Sequence, residues 1–373
     1  MGIRLALDAR KLTDFGIGTY VTNLIAGFAR RTDVELTLLV RGGHVERARG
    51  LAPDARILEV NAREYTVTEH LELPMALFRE NVDLVHIPHY VLPFFLRQPA
   101  VVTVHDIIQL YYPPPHRQEA AVRYLRFFIG RALRRARGVI TVSRSSRNDL
   151  VRIFGADPSR ITVIPNGVDP SLAERPPRAE LEALRDRYGL KPPLILTVGN
   201  DKPHKNTDVV LRAFHRAVRH GKLPGQLVLV GGIVPGSSLS ERARRMGLGE
   251  RVRVLGRLPW RELVCLYHLS SAMVHVALYE GFGLPILEAM CAGLPVVTSN
   301  LGAMRELGEG AALLVNPLSV QEVAEAMERV LIDDPLRRRM VEGGRRRADT
   351  MTWQATVEAT MGVYREALGG GKP

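Results

Sequence analysis

Cysteine and long apolar runs are scarce in this sequence of 373 residues. Its two cysteines, Cys265 and Cys291, are too few for a disulfide framework or for a zinc site made of thiolates. No apolar run reaches the roughly 18 residues that a membrane-spanning helix needs, and the apolar part of residues 1–8 is too short for a secretory signal. We therefore expect a globular protein in a reducing cytoplasm.

Negative charge is also in short supply, since 51 lysines and arginines against 39 aspartates and glutamates give a net charge of +12. Nucleic acid, an anionic membrane surface or a phosphorylated substrate would each fit this surplus. An arginine-rich proteome would produce it without any function. The sequence contains no helix-turn-helix signature, zinc-site spacing or RNA-binding aromatic motif. A basic nucleic-acid-binding protein is thus an alternative reading, but we expect no nucleic acid partner.

The length and the order of the apolar runs predict two α/β domains. One ordinary core does not reach 373 residues, and short β-branched runs alternate with longer amphipathic stretches in βαβ order. Runs that are apolar throughout suit parallel strands that are covered on both faces. The predicted strands are Ile3–Asp8, Glu35–Val40, Leu84–Ile87, Ala100–His105, Gly138–Ser143, Ile161–Ile164, Leu194–Val198, Gln226–Val230, Val252–Leu255, Met273–Val276, Pro295–Thr298 and Ala312–Val315.

A break in this pattern near Asp169 divides the chain. Residues 169–193 contain five prolines and many charges, which is typical of a linker. Open α/β sheets bind ligands at the carboxyl ends of their strands, so two doubly wound domains that face each other would form a central cleft. The predicted divisions are a first domain at 1–170, a linker at 171–193, a second domain at 194–352, and a C-terminal helix at 353–373 that packs back on the first domain.

The most informative motif is E-G-F-G-L-P-I-L-E-A-M-C-A-G at residues 280–293. Pro285 is placed for the first turn of a helix, and Gly293 for its end. The glycines before the helix let backbone N–H groups approach a ligand, and the helix N-terminus favours an anion. Glu280 and Glu288 would bind hydroxyl groups while the backbone binds phosphate. The motif therefore predicts a sugar-nucleotide site, and the alternative is a tight turn beside a solvent-exposed Glu280.

This motif resembles the E-x7-E signature of family-4 glycosyltransferases, and other blocks of that family follow in the expected order. The resemblance implies the GT-B fold, which has two Rossmann-like domains, and a retaining transferase that needs no metal and no cofactor. It implies that Glu288 binds the donor ribose and that Glu280 contacts the transferred sugar. The backbone that would hold the sugar hydroxyls and the diphosphate belongs to Gly281, Phe282, Gly283 and Leu284.

A second block, G-I-G-T-Y at residues 16–20, lies between the first predicted strand and the first predicted helix. We expect a flexible loop here, in which the backbone of Gly16 and Gly18 contacts donor phosphate or the acceptor. The block resembles the G-I-G-x-Y of family members that build bacterial polysaccharides. An NAD-dependent enzyme is disfavoured, because Val21 stands where the dinucleotide fingerprint has a small residue and no acidic residue ends the second strand.

A histidine and an aspartate, His105 and Asp106, lie at the end of the buried strand that begins at Ala100. The carboxyl end of such a strand points toward the ligand crevice, and His105 resembles the strand-end histidine of the family, which contacts the transferred sugar. Asp106 either orients His105 or receives the acceptor proton. The alternatives are a capping Asp106 and a structural His105.

A third block, V-G-N-D-K-P-H-K-N at residues 198–206, follows the first strand of the second half. A lysine here would neutralise the donor diphosphate as charge develops on the leaving group. Lys205 matches the lysine of the family pattern, but Asn200 stands where an arginine is common. We expect Asn200 and Lys202 to contact the donor, with Lys202 or Arg257 as a second cation. The alternative is a solvated basic turn.

Six arginines mark residues 120–137, a stretch that is otherwise apolar. A basic amphipathic helix is typical of a membrane-surface element, and each arginine near an anionic surface adds about 1 kcal/mol. The sequence leaves two alternatives. The first, which is slightly favoured, is a helix that faces the core and carries a solvated arginine face, and the second is peripheral contact with an anionic membrane at the inner face of the cell membrane.

These motifs together predict a hexosyltransferase with His105, Glu280 and Lys205 in catalysis. The resemblance favours GDP-mannose as the donor and a glycan or lipid-linked acceptor in cell-surface polysaccharide assembly, with a UDP-hexose as the alternative donor. A nucleotide-sugar epimerase or a phosphorylase on the same fold is the alternative reaction. The E-x7-E spacing beside Gly-Phe-Gly disfavours both.

Overall fold

The computed structural model describes residues 2–62, 66–113, 118–221 and 223–369. Two units divide the chain: unit 1 comprises Met1–Gly167 and Trp353–Pro373, and unit 2 comprises Val168–Thr352. Each unit contains one parallel sheet with interleaved helices, which confirms the predicted pair of doubly wound α/β domains. No helix in the described ranges is long and apolar enough to cross a membrane.

Unit 1 is built around seven parallel strands in the order β3-β2-β1-β4-β5-β6-β7. Its strands are β1 (Ile3–Asp8), β2 (Val34–Val40), β3 (Arg56–Glu59), β4 (Leu84–Ile87), β5 (Ala100–Thr103), β6 (Gly138–Thr141) and β7 (Ile161–Val163). Its first six helices are α1 (Phe15–Ala29), α2 (Val45–Leu51), α3 (Glu69–Leu77), α4 (Ile108–Tyr111), α5 (Gln118–Arg135) and α6 (Arg144–Phe154).

Unit 2 is built around six parallel strands in the order β10-β9-β8-β11-β12-β13. Its strands are β8 (Leu194–Gly199), β9 (Gln226–Gly231), β10 (Val252–Gly256), β11 (Ala272–His275), β12 (Val296–Ser299) and β13 (Leu313–Val315). Its helices are α7 (Arg178–Tyr188), α8 (Thr207–Arg219), α9 (Ser238–Arg245), α10 (Trp260–Leu269), α11 (Leu284–Cys291), α12 (Gly302–Gly308), α13 (Val320–Ile332) and α14 (Asp334–Thr350).

The first strand of each unit lies inside its sheet, between two strands that follow it in the sequence. In unit 1, β1 lies between β2 and β4, and in unit 2, β8 lies between β9 and β11. The order of the strands therefore reverses at β1 and at β8. Ligands of doubly wound sheets bind at the carboxyl ends of the two strands that flank this switch point. We therefore expect ligands to bind at the loops after β8 and β11 in unit 2, and at the loops after β1 and β4 in unit 1.

The last helix, α15 (Trp353–Gly369), belongs to unit 1. Val357 packs so closely on Gly27 of α1 that an added Cβ at Gly27 would collide with it. The Tyr364 hydroxyl lies 2.6 Å from His86 Nδ1, and His86 Nε2 lies 2.8 Å from the Thr103 hydroxyl. Burial lowers the pKa of His86 to about 3, so a neutral imidazole joins α15 to β4 and β5.

The elements that the sequence analysis did not predict include β3 and α14, and both are poor in apolar residues. Strand β3 is partly exposed along its length and begins and ends with charged residues. Helix α14 has the sequence D-P-L-R-R-R-M-V-E-G-G-R-R-R-A-D-T. Its arginine runs interrupt the apolar spacing that identifies a helix, and its glycine pair lowers the helix propensity. Both glycines are buried by close packing, since a Cβ at Gly344 would lie 3.1 Å from Met290 of α11. Tertiary packing thus stabilises a helix that local propensity does not favour.

Two helical glycines offer a test of this packing. An added Cβ at Gly343 of α14 would lie 2.5 Å from the Gly310 carbonyl oxygen, whereas one at Gly362 of α15 would meet no atom within 4 Å. Gly343→Ala should therefore lower the free energy of unfolding by about 1–3 kcal/mol. Gly362→Ala should raise it by roughly 0.5–1 kcal/mol, because alanine favours a helix. Urea unfolding measures both, and equal effects would contradict the packing.

Candidate functional site

Hydrogen bonds to backbone carbonyl oxygens hold together the two loops at the switch point of unit 2. The Leu278 N–H donates to the His204 carbonyl oxygen at 2.7 Å. The side-chain Nδ2 of Asn206 donates to the carbonyl oxygens of Val276 at 3.0 Å and Pro317 at 2.7 Å. Asn206 has a left-handed φ of 57°, which asparagine adopts more readily than most residues. The K-P-H-K-N block is thereby fixed beside the loop that carries Glu280.

Glu280 forms the centre of a cluster with Lys205 and His275. Lys205 Nζ donates to Glu280 Oε1 at 2.5 Å, and His275 Nε2 lies 2.9 Å from the same oxygen. The side chains of Lys205 and Glu280 are mostly buried, and His275 is almost fully buried at the end of β11. The sequence predicted Lys205 and Glu280 separately. It did not single out His275, because this residue lies outside the recognised motif.

The electrostatics of the cluster keep the Glu280 carboxylate charged. Burial by itself raises the pKa of this carboxyl, but the Lys205 ammonium and the hydrogen bond from His275 outweigh burial and lower the pKa to about 2. Burial, followed by the charge of Lys205, lowers the pKa of the adjacent His204 to about 4. At neutral pH the site therefore contains a charged Lys205–Glu280 pair beside a neutral His204.

The G-F-G turn leads directly into helix α11. Gly283 is the residue before the helix and has a φ of +102°, a conformation that side-chain-bearing residues rarely adopt. Pro285 lies in the first turn, where its missing N–H costs no hydrogen bond. The first N–H groups of a helix have no acceptor within the helix. The end of α11 beside Glu280 therefore suits a bound anion.

Glu288 lies one turn inside α11 and is paired with a tyrosine that the sequence did not indicate. The Tyr267 hydroxyl, from α10, donates to Glu288 Oε2 at 2.7 Å. Burial raises the pKa of the Glu288 carboxyl, the hydrogen bond from Tyr267 opposes this effect, and Asp169 adds to it. Tyr267 is buried and fixes the orientation of one carboxylate oxygen. The contact spans 21 residues, so no local motif reveals it.

Asn200 and Lys202 lie on the loop that follows β8. Asn200 Oδ1 accepts a hydrogen bond from the Lys202 N–H at 3.1 Å, which closes a tight turn. The side chain of Lys202 is exposed, whereas Asn200 is half-buried. Asn200 thus has a structural bond in addition to its predicted contact with the donor.

His105 lies after the carboxyl end of β5 in unit 1. Its ring packs edge-on against Tyr20, with the centroids 4.8 Å apart, and donates to the Pro88 carbonyl oxygen. Burial lowers its pKa to about 4, against the effect of the Pro88 carbonyl. The buried Nε2 has no hydrogen-bond partner among the described residues. A neutral imidazole that donates from one nitrogen leaves the other as an acceptor, which suits a hydroxyl ligand.

Asp106 has a structural bond of its own. Its Oδ1 accepts from the Ile108 N–H at 2.9 Å, at the start of α4. The residue that caps α4 is Ile107, without a side-chain hydrogen bond, so Asp106 closes a turn before the helix and does not cap it.

A buried ion network lies beside His105, at the carboxyl end of β1. Arg10 Nη2 contacts Asp8 Oδ2 at 2.6 Å and Glu69 Oε1 at 2.8 Å, and all three side chains are almost fully buried. Neighbouring His89 is also buried; burial and then the charges of Lys11 and Arg10 lower its pKa well below the usual value. The sequence analysis assigned no role to Asp8 or Arg10. Their partner Glu69 comes from α3, distant in sequence.

The structure corrects the expected loop at residues 16–20. Gly16 and Gly18 lie in the first turn of α1, which begins at Phe15. A Cβ at Gly18 would approach the Leu12 carbonyl oxygen to 2.9 Å. Gly18 is therefore needed for close packing against the preceding turn, and the segment is not a flexible loop. Asp14 is of a residue type that is favoured directly before a helix, and this signal could have shown that the helix starts earlier.

Two family descriptions match consecutive parts of the chain. Glycosyltransferase Family 4 matches residues 16–172, and Glycosyl transferases group 1 matches residues 182–347. Together they span most of the sequence. This chain is a glycosyltransferase. The family resemblance seen in the sequence and the expected GT-B fold are both confirmed.

Individual relatives agree with this assignment. The chain is 28% identical to O-antigen chain mannosyltransferase B of Escherichia coli, over 98% of this chain and 100% of that protein. It is 28% identical to O-antigen chain mannosyltransferase RfbU of Salmonella typhimurium, over 68% of this chain and 66% of that protein. Among solved structures, Anabaena Alr3699/HepE in complex with UDP-glucose matches with a TM-score of 0.79 at 19% identity, covering 97% of this chain and 99% of that one.

The low pKa of Glu280 predicts a pH-dependent stability. The folded-state pKa of about 2 lies below the ordinary value of 4.5, so the charged carboxylate stabilises the fold above pH 4.5. That contribution is lost as the pH falls through about 2. The difference in Tm between the wild type and Glu280→Gln should therefore be largest above pH 4.5 and shrink on acidification.

A second variant tests whether the Lys205–Glu280 ion pair causes this pH dependence, as opposed to acid destabilisation of the whole protein. In a Lys205→Met background the pKa of Glu280 rises toward its ordinary value, because the main opposing charge is gone. The Tm difference caused by Glu280→Gln should then depend less on pH. Equal pH dependence in both backgrounds would contradict the ion pair as the source.

Proposed function

We propose that this glycosyltransferase is a retaining hexosyltransferase, with GDP-mannose as the first candidate donor. The observation that carries the proposal is the Lys205–Glu280 pair at the switch point of unit 2, directly before the N-terminus of α11. The two O-antigen mannosyltransferases among its relatives support mannose. The UDP-glucose complex of the Anabaena protein keeps a UDP-hexose as the alternative donor.

In this proposal unit 2 binds the donor. Glu288, held by Tyr267, accepts hydrogen bonds from the ribose hydroxyls. The diphosphate lies at the N-terminus of α11, where the helix dipole favours an anion. The backbone groups proposed for the sugar and the diphosphate belong to Gly281, Phe282, Gly283 and Leu284. Further proposed donor contacts are Asn200, Lys202, Gly16 and Gly18.

The proposed reaction balances without a covalent enzyme intermediate. The bond from the anomeric carbon to the phosphate oxygen breaks, and Lys205 and the α11 amides stabilise the charge on the leaving diphosphate. The acceptor hydroxyl attacks from the same face and transfers its proton to the departing phosphate oxygen. Glu280 positions the sugar and stabilises its positive character, and His105 is the proposed sugar contact from unit 1. Because these groups supply the needed charges, we propose that no metal is required.

The proposed acceptor is a glycan or a lipid-linked glycan, in cell-surface polysaccharide assembly. An acceptor of that kind would bring the enzyme to the inner face of the cell membrane. We therefore also propose that unit 1 contacts an anionic membrane, through the region of residues 120–137.

A panel of nucleotide sugars tests the donor and the mechanism. Binding and hydrolysis are measured in EDTA for the wild type and for Glu288→Ala, with transfer followed in Glu280→Ala and Lys205→Ala. We expect selective binding of one donor, weakened in Glu288→Ala and unaffected by EDTA, and loss of most transfer in the other two variants. Full transfer in either of those two variants, or transfer abolished by EDTA, would contradict the mechanism.

The contact between Tyr267 and Glu288 predicts a separation of KM from kcat. Tyr267→Phe removes one hydrogen bond to the carboxylate that is proposed to bind ribose, so KM for the donor should rise about 10-fold while kcat changes little. Tyr188→Phe is a matched control, since Tyr188 donates to Glu262 at the same 2.7 Å on another part of unit 2. Steady-state kinetics would count against this role if both variants shifted KM equally, or if kcat fell instead.

A further inference from the structure

Four large apolar side chains are exposed together on unit 1. They line one groove of about 240 Å³ with Pro74, Arg97 and Gln98. Two come from α3, Phe78 directly follows that helix, and Phe95 lies in the segment after β4. Their exposed fractions are 47% for Leu71, 73% for Met75, 64% for Phe78 and 63% for Phe95. Single exposed apolar residues are normal, but a contiguous group of this kind indicates a binding surface.

A strongly basic pocket adjoins this groove. It has a volume of about 700 Å³ and shares Arg97 and Gln98 with the groove. No acidic residue lines either of them. We call the groove and the pocket together the docking face. The arginines of the pocket are Arg97, Arg131, Arg134, Arg135 and Arg137.

Most of these arginines lack a compensating negative charge. Within the described part of the chain, no carboxylate lies within 4.0 Å of Arg134, Arg135 or Arg137. Arg131 is fixed differently, since it donates to the Pro93 carbonyl oxygen at 3.2 Å and lies over the Phe94 ring at 4.5 Å. Burial and then the charge of Arg135 lower the pKa of Arg131. An anion bound here would relieve this repulsion.

Most of the apolar part of the docking face does not come from α5. Leu125, Phe128, Ile129 and Leu133 of that helix are buried, and only Phe127 among its larger apolar residues is exposed. This matches the core-facing alternative for residues 120–137, with the arginines on the solvated side. The sequence analysis thus located the positive charge at residues 120–137. The apolar side chains beside it come from α3, from Phe78 just after that helix and from Phe95.

The docking face is separate from the candidate site of unit 1. Its basic pocket includes Ala100, the first residue of β5, and Arg137, just before β6. His105 follows the opposite, carboxyl end of β5. The four residues of β5 span about 13 Å at roughly 3.3 Å each. The arginines of the pocket are therefore not needed to explain binding of the donor diphosphate.

We infer that the docking face binds bilayers that contain anionic phospholipids. The arginines bind headgroup phosphates, and Leu71, Met75, Phe78 and Phe95 enter the apolar boundary below them. Nucleic acid offers phosphates but no apolar phase for Met75 and Phe78, so it fits only half of the surface. The inference deepens the membrane contact proposed above, and it does not depend on which donor or acceptor is used.

Vesicle sedimentation with the full chain tests this surface. The probes are vesicles of phosphatidylcholine alone and of phosphatidylcholine mixed with phosphatidylglycerol, at low and high salt. The wild type should bind the anionic vesicles in a salt-sensitive manner. Arg134→Glu with Arg135→Glu should weaken partitioning at least ~10-fold, because each arginine contributes about 1 kcal/mol. Phe78→Ser with Phe95→Ser should weaken it by at least ~10-fold through lost apolar burial.

Matched substitutions on unit 2 serve as controls. Arg338→Glu with Arg339→Glu makes the same charge change at two exposed positions of α14. Leu318→Ser with Ile332→Ser removes two apolar side chains that are 71% and 76% exposed. Both controls should bind vesicles like the wild type. Equal losses in the controls and the docking-face variants would overturn the inference, as would wild-type binding that is independent of anionic lipid.

Donor hydrolysis, measured on the same preparations, separates this inference from the proposed reaction. Docking-face variants that no longer bind anionic vesicles but still hydrolyse the donor support the inference that this face binds membranes. Absence of vesicle binding in a wild type that hydrolyses donor overturns the surface alone, and retention of an acidic soluble protein by the same residues would assign it to a protein partner instead. Vesicle binding without any donor hydrolysis supports the surface while contradicting the proposed reaction.

Discussion

One buried carboxylate, Glu280, determines how the candidate site is organised. Burial opposes its charge, so a charged Glu280 requires neighbouring donors, and Lys205 and His275 supply them to one and the same oxygen. Among the described residues, its second oxygen accepts no hydrogen bond. Lys205 follows β8 and Glu280 follows β11, so the ion pair also joins the two strands of the switch point. A site for a charged donor and its hydroxyl groups is thus a consequence of the sheet topology.

The backbone makes this arrangement specific. Asn206 adopts a left-handed conformation and donates to two carbonyl oxygens, and the His204 carbonyl receives the Leu278 N–H. These bonds fix the loop of Lys205 against the loop of Glu280 before any substrate binds. A preformed electrostatic environment needs no reorganisation during reaction, which is what stabilisation of a leaving diphosphate requires. The buried network of Arg10 with Asp8 and Glu69 gives unit 1 a comparably rigid edge.

Periodicity and motifs predicted the parts that depend on local sequence. The buried strands were recognised because parallel strands covered on both faces are apolar throughout, whereas β3 and α14 were missed because their stability comes from neighbouring elements. Glu280, Glu288 and Lys205 were found as members of motifs. Their partners His275 and Tyr267 were not, because the contact of Tyr267 with Glu288 depends on how α10 packs on α11. The G-I-G block was misread as a loop, since glycine at residue 18 is required by packing and not by flexibility.

The net charge of +12 illustrates the same division between composition and position. Composition alone allowed a nucleic acid, a membrane or a phosphorylated substrate. The structure distinguishes arginines that are already neutralised, such as Arg10 between two carboxylates, from Arg134 and Arg135, which have no carboxylate within 4.0 Å among the described residues. A new anion stabilises only an arginine that has no carboxylate partner, because a paired arginine must first give up its partner. The position of uncompensated charge beside exposed phenylalanine, and not the total charge, is therefore what points to an anionic bilayer.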